Sequence, residues 1–159
     1  MNIPESIHID ALPGLGQPLA DGTFTTIYWM GGIEYALVAL PASAELSGAW
    51  GEYGQEVKTA HADGEANTRA MAEAGSQIAI QALELGAFIP SVLEGHLLMH
   101  AKEAGVITDL REDRWYWLST QFSANRAYLM DFGAGWQNVS YVKDCERLVR
   151  PVRKVPILR

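Results

Sequence analysis

Three side chains at helical spacing are the first candidates for chemistry, because together they could hold a metal ion. His96 and His100 are four residues apart and Glu103 follows three residues later, so one helix face could carry all three. The glutamate that metalloprotease motifs place directly after the first histidine is missing, and no third histidine lies near in the sequence. We therefore expect surface or boundary histidines here, and no bound metal.

Nucleophilic and redox chemistry find little support in the residue types. Cys145 is the only cysteine, which excludes an internal disulfide, and it stands between two acidic residues that would not stabilise a thiolate. Ser119, Ser123 and Ser140 lack the context of a nucleophile elbow. The sequence therefore predicts that the protein is not an enzyme and has no cofactor.

Aromatic side chains are the more promising group, since the chain contains five tryptophans and six tyrosines. Such rings stack on sugars and anchor protein partners. Trp50 and Tyr53 fall in a long loop and Trp136 follows a Gly-Ala-Gly turn, so we expect Trp50 and Trp136 to be exposed. The alternative, that each ring fills the core of a loop-rich domain, stays open. The predicted ligand-binding residues are Trp50, Tyr53, Ser123, Asn125, Arg126, Trp136 and Asn138.

Composition and charge exclude several classes of protein. The chain has 159 residues and a net charge of −7, which favours one globular domain and disfavours a nucleic-acid partner. No apolar run approaches the roughly 20 residues that cross a bilayer, so we expect no membrane insertion. Residues 1–5 lack a signal-peptide pattern, which predicts synthesis in the cytoplasm. The segment 143–159 carries six basic and two acidic residues, and this basic tail either meets a partner or neutralises acidic residues internally.

The elements that must position these residues begin with an irregular segment. Residues 1–23 are rich in proline and glycine, which predicts an extended N-terminal arm and favours a homo-oligomer or a place in a larger assembly. Residues 24–29 and 33–40 flank two glycines and predict a β-hairpin.

Two helices and a run of strands follow. Apolar spacing predicts the first helix over residues 68–85, with Asn67 as its cap, and Ser91 and Glu94 form a capping box that begins the second, which Gly105 ends. Period-two patterns predict strands over 115–119, 127–132, 136–142 and 147–153. The order indicates an α+β fold, with two helices packed on an antiparallel sheet in one domain over residues 24–159.

Several short motifs are distributed along residues 24–153. They are Tyr35-Ala36-Leu37-Val38-Ala39, Asn67-Thr68, Ile89-Pro90-Ser91 with Glu94, Tyr116-Trp117 with Ser119-Thr120, Asp131-Phe132-Gly133 through Trp136, Lys143, and Val149-Arg150-Pro151-Val152-Arg153. In this order the chain resembles the DUF1566 domain, also called the Lcl C-terminal domain, a bacterial and phage family. The resemblance implies a C-type-lectin-like fold. Gly95 and Leu118 depart from the family pattern, which usually has leucine and serine there.

Most of the motif residues are expected to act in the fold rather than in chemistry. Tyr116 and Trp117 alternate across a strand, so one of them should lie in the core. Arg150 and Arg153 should point to opposite faces of a strand unless Pro151 causes a bulge, and one of them should pair with a helix carboxylate. The structural motif residues are Asn67, Thr68, Pro90, Ser91, Glu94, Tyr116, Trp117, Arg150 and Arg153.

A calcium-dependent sugar site of the lectin type is not expected. Gln17-Pro18 is followed by leucine, and Trp136 by Gln137-Asn138, so neither calcium motif of that type is matched. The leading hypothesis is a non-enzymatic binding domain, a phage tail-associated or receptor-binding protein in the virion, with a protein or glycan ligand. The alternative is an intracellular phage protein whose acidic surface inhibits a host defence protein.

Overall fold

Two five-stranded sheets and three helices make up the computed structural model, which describes residues 3–159. The first sheet has the order β1-β10-β4-β3-β2, with β1 Ile7–His8, β2 Pro18–Leu19, β3 Gly22–Met30, β4 Ile33–Ala39 and β10 Val152–Leu158. The second has the order β5-β9-β6-β7-β8, with β5 Leu46–Ala49, β6 Tyr116–Gln121, β7 Ala127–Asp131, β8 Trp136–Asn138 and β9 Glu146–Val149. The helices are α1 Gly64–Glu73, α2 Gln77–Glu84 and α3 Val92–Glu103. The α+β class is thus confirmed, but the expectation of two helices on one antiparallel sheet is wrong.

The predicted hairpin is confirmed as β3 and β4. Gly31 and Gly32 have φ of 58° and 78° at its turn, values that residues with a Cβ rarely adopt. The sheets are not purely antiparallel, however, because β1 pairs with β10 and β6 pairs with β9 in parallel.

The single helix predicted over residues 68–85 is two helices, α1 and α2. Gly75 separates them with φ of 94°, a left-handed conformation that ends α1 and turns the chain. Asn67 is not the cap, because α1 begins earlier and the side chain of Asp63 accepts the hydrogen bond from the Ala66 amide at 3.0 Å. The capping box of α3 is confirmed, and Gly105 follows its end with φ of 74°.

The last predicted strand is also two strands, which belong to different sheets. β9 ends at Val149 and β10 begins at Val152, so Arg150-Pro151 connects the second sheet to the first. The Arg150 guanidinium is buried and pairs with Glu45 at 2.7 Å and Asp109 at 2.8 Å, so its carboxylate partners lie in loops and not, as expected, on a helix.

Arg153 is buried on the first sheet instead. Its guanidinium donates to the main-chain carbonyls of Leu85 and Gly86 just after α2, and to that of Ala20. The side chain therefore ties the C-terminal end of a helix to the sheet.

Helix α3 lies between the two sheets, and α1 and α2 cover the far side of the second sheet. One core cluster joins Leu37 of β4 to Leu98 of α3 and Leu118 of β6. A second joins Met71 of α1 and Ile78 of α2 to Trp117. Tyr116 and Trp117 are both buried, because β6 has packed elements on both faces.

The outer face of the first sheet is covered by the segment that the sequence analysis assigns to an arm. Ile7, Ile9, Leu12 and Leu19 pack there on a cluster that includes Val38. Met1 and Asn2 lie outside the described residues, and the division of the chain at residue 24 stays a prediction.

Candidate functional site

A long irregular loop between β5 and α1 is fixed at almost every step by hydrogen bonds to buried side chains. Its first residue is Trp50, whose indole Nε1 donates to the Leu118 carbonyl at 2.8 Å, while Ser76 Oγ donates to the Trp50 carbonyl at 2.7 Å. Trp50 is 1% exposed, so the prediction that its ring is exposed is wrong. The ring anchors the loop, because an indole provides a large apolar area with one donor that a strand carbonyl can satisfy.

Lys143 holds the loop from beneath. The residue is buried, and its ammonium donates to the Gln55 carbonyl at 2.7 Å and to Gln121 Oε1 at 2.6 Å. It also lies 4.6 Å from the centre of the Trp50 ring. Burial lowers the pKa of Lys143 to about 8, although the nearby charge of Glu56 acts in the opposite direction.

Gln121, at the end of β6, connects the lysine to the next part of the loop. Its Oε1 accepts from the Val57 amide at 2.8 Å, and its Nε2 donates to Glu56 Oε2 at 2.6 Å. The Gln121 amide donates to Thr59 Oγ1 at 2.9 Å. One glutamine thus makes hydrogen bonds to three residues of the loop, Glu56, Val57 and Thr59.

Motif residues secure the final part of the loop. The Asn67 side chain makes two hydrogen bonds of 2.7 Å with the amide and the carbonyl of Ala60. Thr120 Oγ1 donates to the same carbonyl at 3.1 Å, and Ser91 Oγ donates to the Ala62 carbonyl at 2.9 Å. These residues therefore support the loop, a role that no local pattern shows.

Glu94 links the end of this loop to helices α1 and α3 and to the first sheet. Its Oε1 accepts from the amides of Gly64 and Ser91 at 3.0 and 2.9 Å, and its Oε2 accepts from the Tyr28 hydroxyl at 2.5 Å. Burial raises the pKa of Glu94, while the hydrogen bonds from Tyr28 and Ser91 lower it. With 0% exposure and three donors, this carboxyl is placed to join the start of α1 to the start of α3 rather than to meet a substrate.

The supported loop meets the turn between β6 and β7 at the surface. The Gly54 amide donates to the Ala124 carbonyl at 3.1 Å, which places Tyr53 beside the turn. Tyr53 is 59% exposed, and Arg126 is exposed while Ser123 and Asn125 are half-buried. The structure therefore brings together four of the predicted ligand-binding residues.

A chain of rings continues this surface. His61 and Tyr128 lie 6.0 Å apart, and Tyr128 and Phe122 lie 5.8 Å apart, both edge to face. Phe122 is 53% exposed, and His61 is exposed. The sequence analysis missed these three, although an aromatic residue that directly precedes a polar turn is a usable signal. We call Tyr53, His61, Phe122, Tyr128 and the turn 123–126 the loop face.

Trp136 and Asn138 do not belong to the loop face. Trp136 is 59% exposed, which confirms its predicted exposure, but it pairs with Asp131 at the opposite end of β7 from the turn. The strand geometry separates it from the turn by roughly 13 Å. Asn138 Oδ1 accepts from the Ser140 amide at 3.2 Å.

The remaining chemistry-bearing side chains do not converge. His96, His100 and Glu103 are all exposed on α3, and nowhere within residues 3–159 do three His, Cys, Asp or Glu residues come close enough to hold a metal ion. In the same part of the chain, no helix has the length and apolar character needed to span a membrane.

Comparison of the sequence with known protein families and with curated proteins finds no match. The resemblance to the DUF1566 domain accordingly stays a prediction that rests on the order of short motifs.

Proposed function

We propose that this protein is a non-catalytic binding domain that recognises a protein or glycan ligand through its loop face. The observation that carries the proposal is the support of an irregular loop by buried side chains, from Trp50 to Ala62, beside a surface chain of aromatic rings. Two buried groups of perturbed pKa, Lys143 and Glu94, are engaged with main-chain partners in this support.

Rigidity of the loop face favours binding for a physical reason. Ordering a mobile side chain or loop on association costs roughly 0.5–1.5 kcal/mol for each rotamer-rich side chain. A loop that is already ordered avoids much of this cost, and rings such as Tyr53 and Phe122 offer a large contact area with few rotatable bonds. The polar turn 123–126 adds a guanidinium and amide groups at the edge of the rings.

The biological setting is proposed from the motif resemblance. A C-type-lectin-like fold of the DUF1566 kind, encoded by a phage, would serve as a tail-associated or receptor-binding protein in the virion. Its ligand would then be a host-surface glycan or a neighbouring virion protein. Mass spectrometry of purified virions tests this setting, and virions without the chain would refute it.

The binding surface is tested with labelled protein on a bacterial glycan array and on intact host cells. We expect Tyr53→Ala and Phe122→Ala to weaken retention at least tenfold, because each removes an exposed ring of the loop face. Trp136→Ala is the matched control, since it removes an equally exposed ring elsewhere. Retention that depends on Trp136 but not on Tyr53 or Phe122 would contradict the assignment of the surface.

One observation favours the second candidate, an intracellular phage protein that inhibits a basic host protein. Lys143, Arg150 and Arg153 are buried, so three of the six basic side chains of residues 143–159 are withdrawn from the surface, which makes the exterior more acidic. Such binding should weaken steeply with ionic strength. A pull-down from host lysate that is insensitive to salt, or that recovers no partner, counts against this candidate.

A further inference from the structure

Strand β3 has an open edge. Its β2 neighbour covers only Gly22 and Thr23, and the Gln17 backbone bonds Phe24. Beyond Phe24, β3 pairs with β4 on one side and with no described strand on the other. Main-chain groups on the open side of such a strand are available to another strand.

Two side chains of this edge are apolar and exposed. Trp29 is 63% exposed and Ile27 38%. The sequence from Gly22 to Ile33 contains no charged residue, in a chain where 19% of residues are charged. Monomeric proteins usually protect such an edge with lysine, proline or a covering segment. Residues 25–30 of β3 contain neither lysine nor proline, and the N-terminal segment adjoins this stretch only at Thr26 and Ile27, where it lines a trough.

An apolar trough of about 520 Å³ adjoins this edge on the outer face of the sheet. Its lining includes Ile9, Leu12, Leu15, Phe24 and Ile27. The register of β3 on β4 puts Phe24, Ile27 and Trp29 on this same outer face, because Phe24 pairs with Val38, Ile27 with Ala36 and Trp29 with Glu34. Strand β3 thus carries the exposed ring of Trp29, and Ile27, two residues earlier, lines the trough.

We propose that the open edge of β3 binds a second copy of this chain, with the two β3 strands paired antiparallel about a twofold axis. An alignment that sets residue 28 of one copy opposite residue 28 of the other places Trp29 of each copy against Ile27 of its partner, at the trough. Side chains that face each other in such a pair share one side of the sheet, so the rings and troughs lie together. The two first sheets become one continuous sheet.

A second copy fits this edge better than an unrelated partner because a twofold interface must be self-complementary. The ring and the trough occupy the positions that an antiparallel pairing of identical strands requires. The absence of charge along the edge also matters, since two chains of net charge −7 repel each other elsewhere on their surfaces. A pairing confined to one strand edge and the adjoining trough is expected to bury less than the roughly 800 Å² per partner of a standard interface, so the dimer should dissociate on dilution.

Sedimentation velocity tests the proposal on the full chain. We expect the apparent mass to rise from the monomer value of 17.4 kDa towards twice that value between about 1 and 200 µM, a range that spans micromolar dissociation constants typical of weak association. Hydrogen exchange should show that the amides of residues 26–30 become protected over the same range. A chain that stays monomeric throughout, or a dimer with no added protection in β3, overturns the proposal and leaves the edge to a different partner.

Variants locate the interface. Ile27→Lys and Trp29→Lys should each raise the dissociation constant at least tenfold, because a charge on each of two facing strands opposes pairing. Trp29→Thr removes the ring and keeps a good strand former, so it tests the contact without adding charge. Trp136→Lys is the control and should dimerise like the wild type. Equal dimerisation of all four variants, each folded by circular dichroism, also overturns the proposal.

Discussion

Replacement of Lys143 by methionine tests the idea that this residue supports the loop face. The variant keeps an unbranched apolar side chain but removes the ammonium that donates to the Gln55 carbonyl at 2.7 Å and to Gln121 Oε1 at 2.6 Å. Gln121 Oε1 still accepts from the Val57 amide, so the Gln55 carbonyl is the group that loses its donor.

The magnitude follows from these contacts. Hydrogen bonds to a charged group contribute roughly 1.5–3 kcal/mol each, and an unsatisfied buried carbonyl costs about 1–3 kcal/mol. Release of a buried charge from its desolvated position offsets part of this loss. We therefore expect the free energy of unfolding to fall by about 2–3 kcal/mol, measured by urea denaturation at pH 7, with faster hydrogen exchange over residues 50–60. Lys58→Met, at an exposed lysine of the same loop, should leave both measurements unchanged.

The difference in stability between the wild type and the Lys143→Met variant should also depend on pH. The pKa of Lys143 is lowered to about 8 in the folded protein from its ordinary value of 10.5, so between these values the unfolded chain binds more protons than the folded one. The wild type should therefore gain stability relative to the methionine variant as pH rises from 8 to 10.5, and the difference should be constant below pH 8. A variant as stable as the wild type, or a difference that shrinks with rising pH, would refute the reasoning.

Three further substitutions test the remaining support of the site by urea denaturation. Glu94→Gln should cost about 2–4 kcal/mol, because an amide group cannot accept from the two main-chain amides and the Tyr28 hydroxyl at once. Gly64→Ala should cost more than about 3 kcal/mol, because the new Cβ would overlap the Glu94 carboxyl and two main-chain atoms, whereas Gly51→Ala meets nothing and should be tolerated. Asn67→Ala should cost about 1–3 kcal/mol and speed hydrogen exchange at Ala60, since the Ala60 amide loses its acceptor while its carbonyl keeps the hydrogen bond from Thr120. A stable Gly64→Ala variant, or unchanged exchange at Ala60, would contradict this account.

Parts of the fold could be predicted because their determinants are local. The hairpin follows from two adjacent glycines between apolar runs, and the start of α3 follows from Ser91 and Glu94 at capping-box spacing. The sequence does not predict that residues 68–85 form two helices. Glycine is tolerated inside helices, and only the φ of 94° at Gly75 shows that the helix breaks there. Pro151 likewise marks a possible bulge in sequence, and only the structure shows that β9 and β10 join different sheets.

The candidate site divides in the same way. The sequence alone determined an α+β class, an aromatic-rich composition and several exposed positions such as Tyr53 and Trp136. Only the tertiary structure decided that Trp50 is an anchor and that Lys143 supports the loop, because their partners lie 68 and 88 residues away in the chain. A side chain becomes buried or exposed according to what packs over it, and for an irregular loop that covering comes from distant segments whose arrangement no local spacing records.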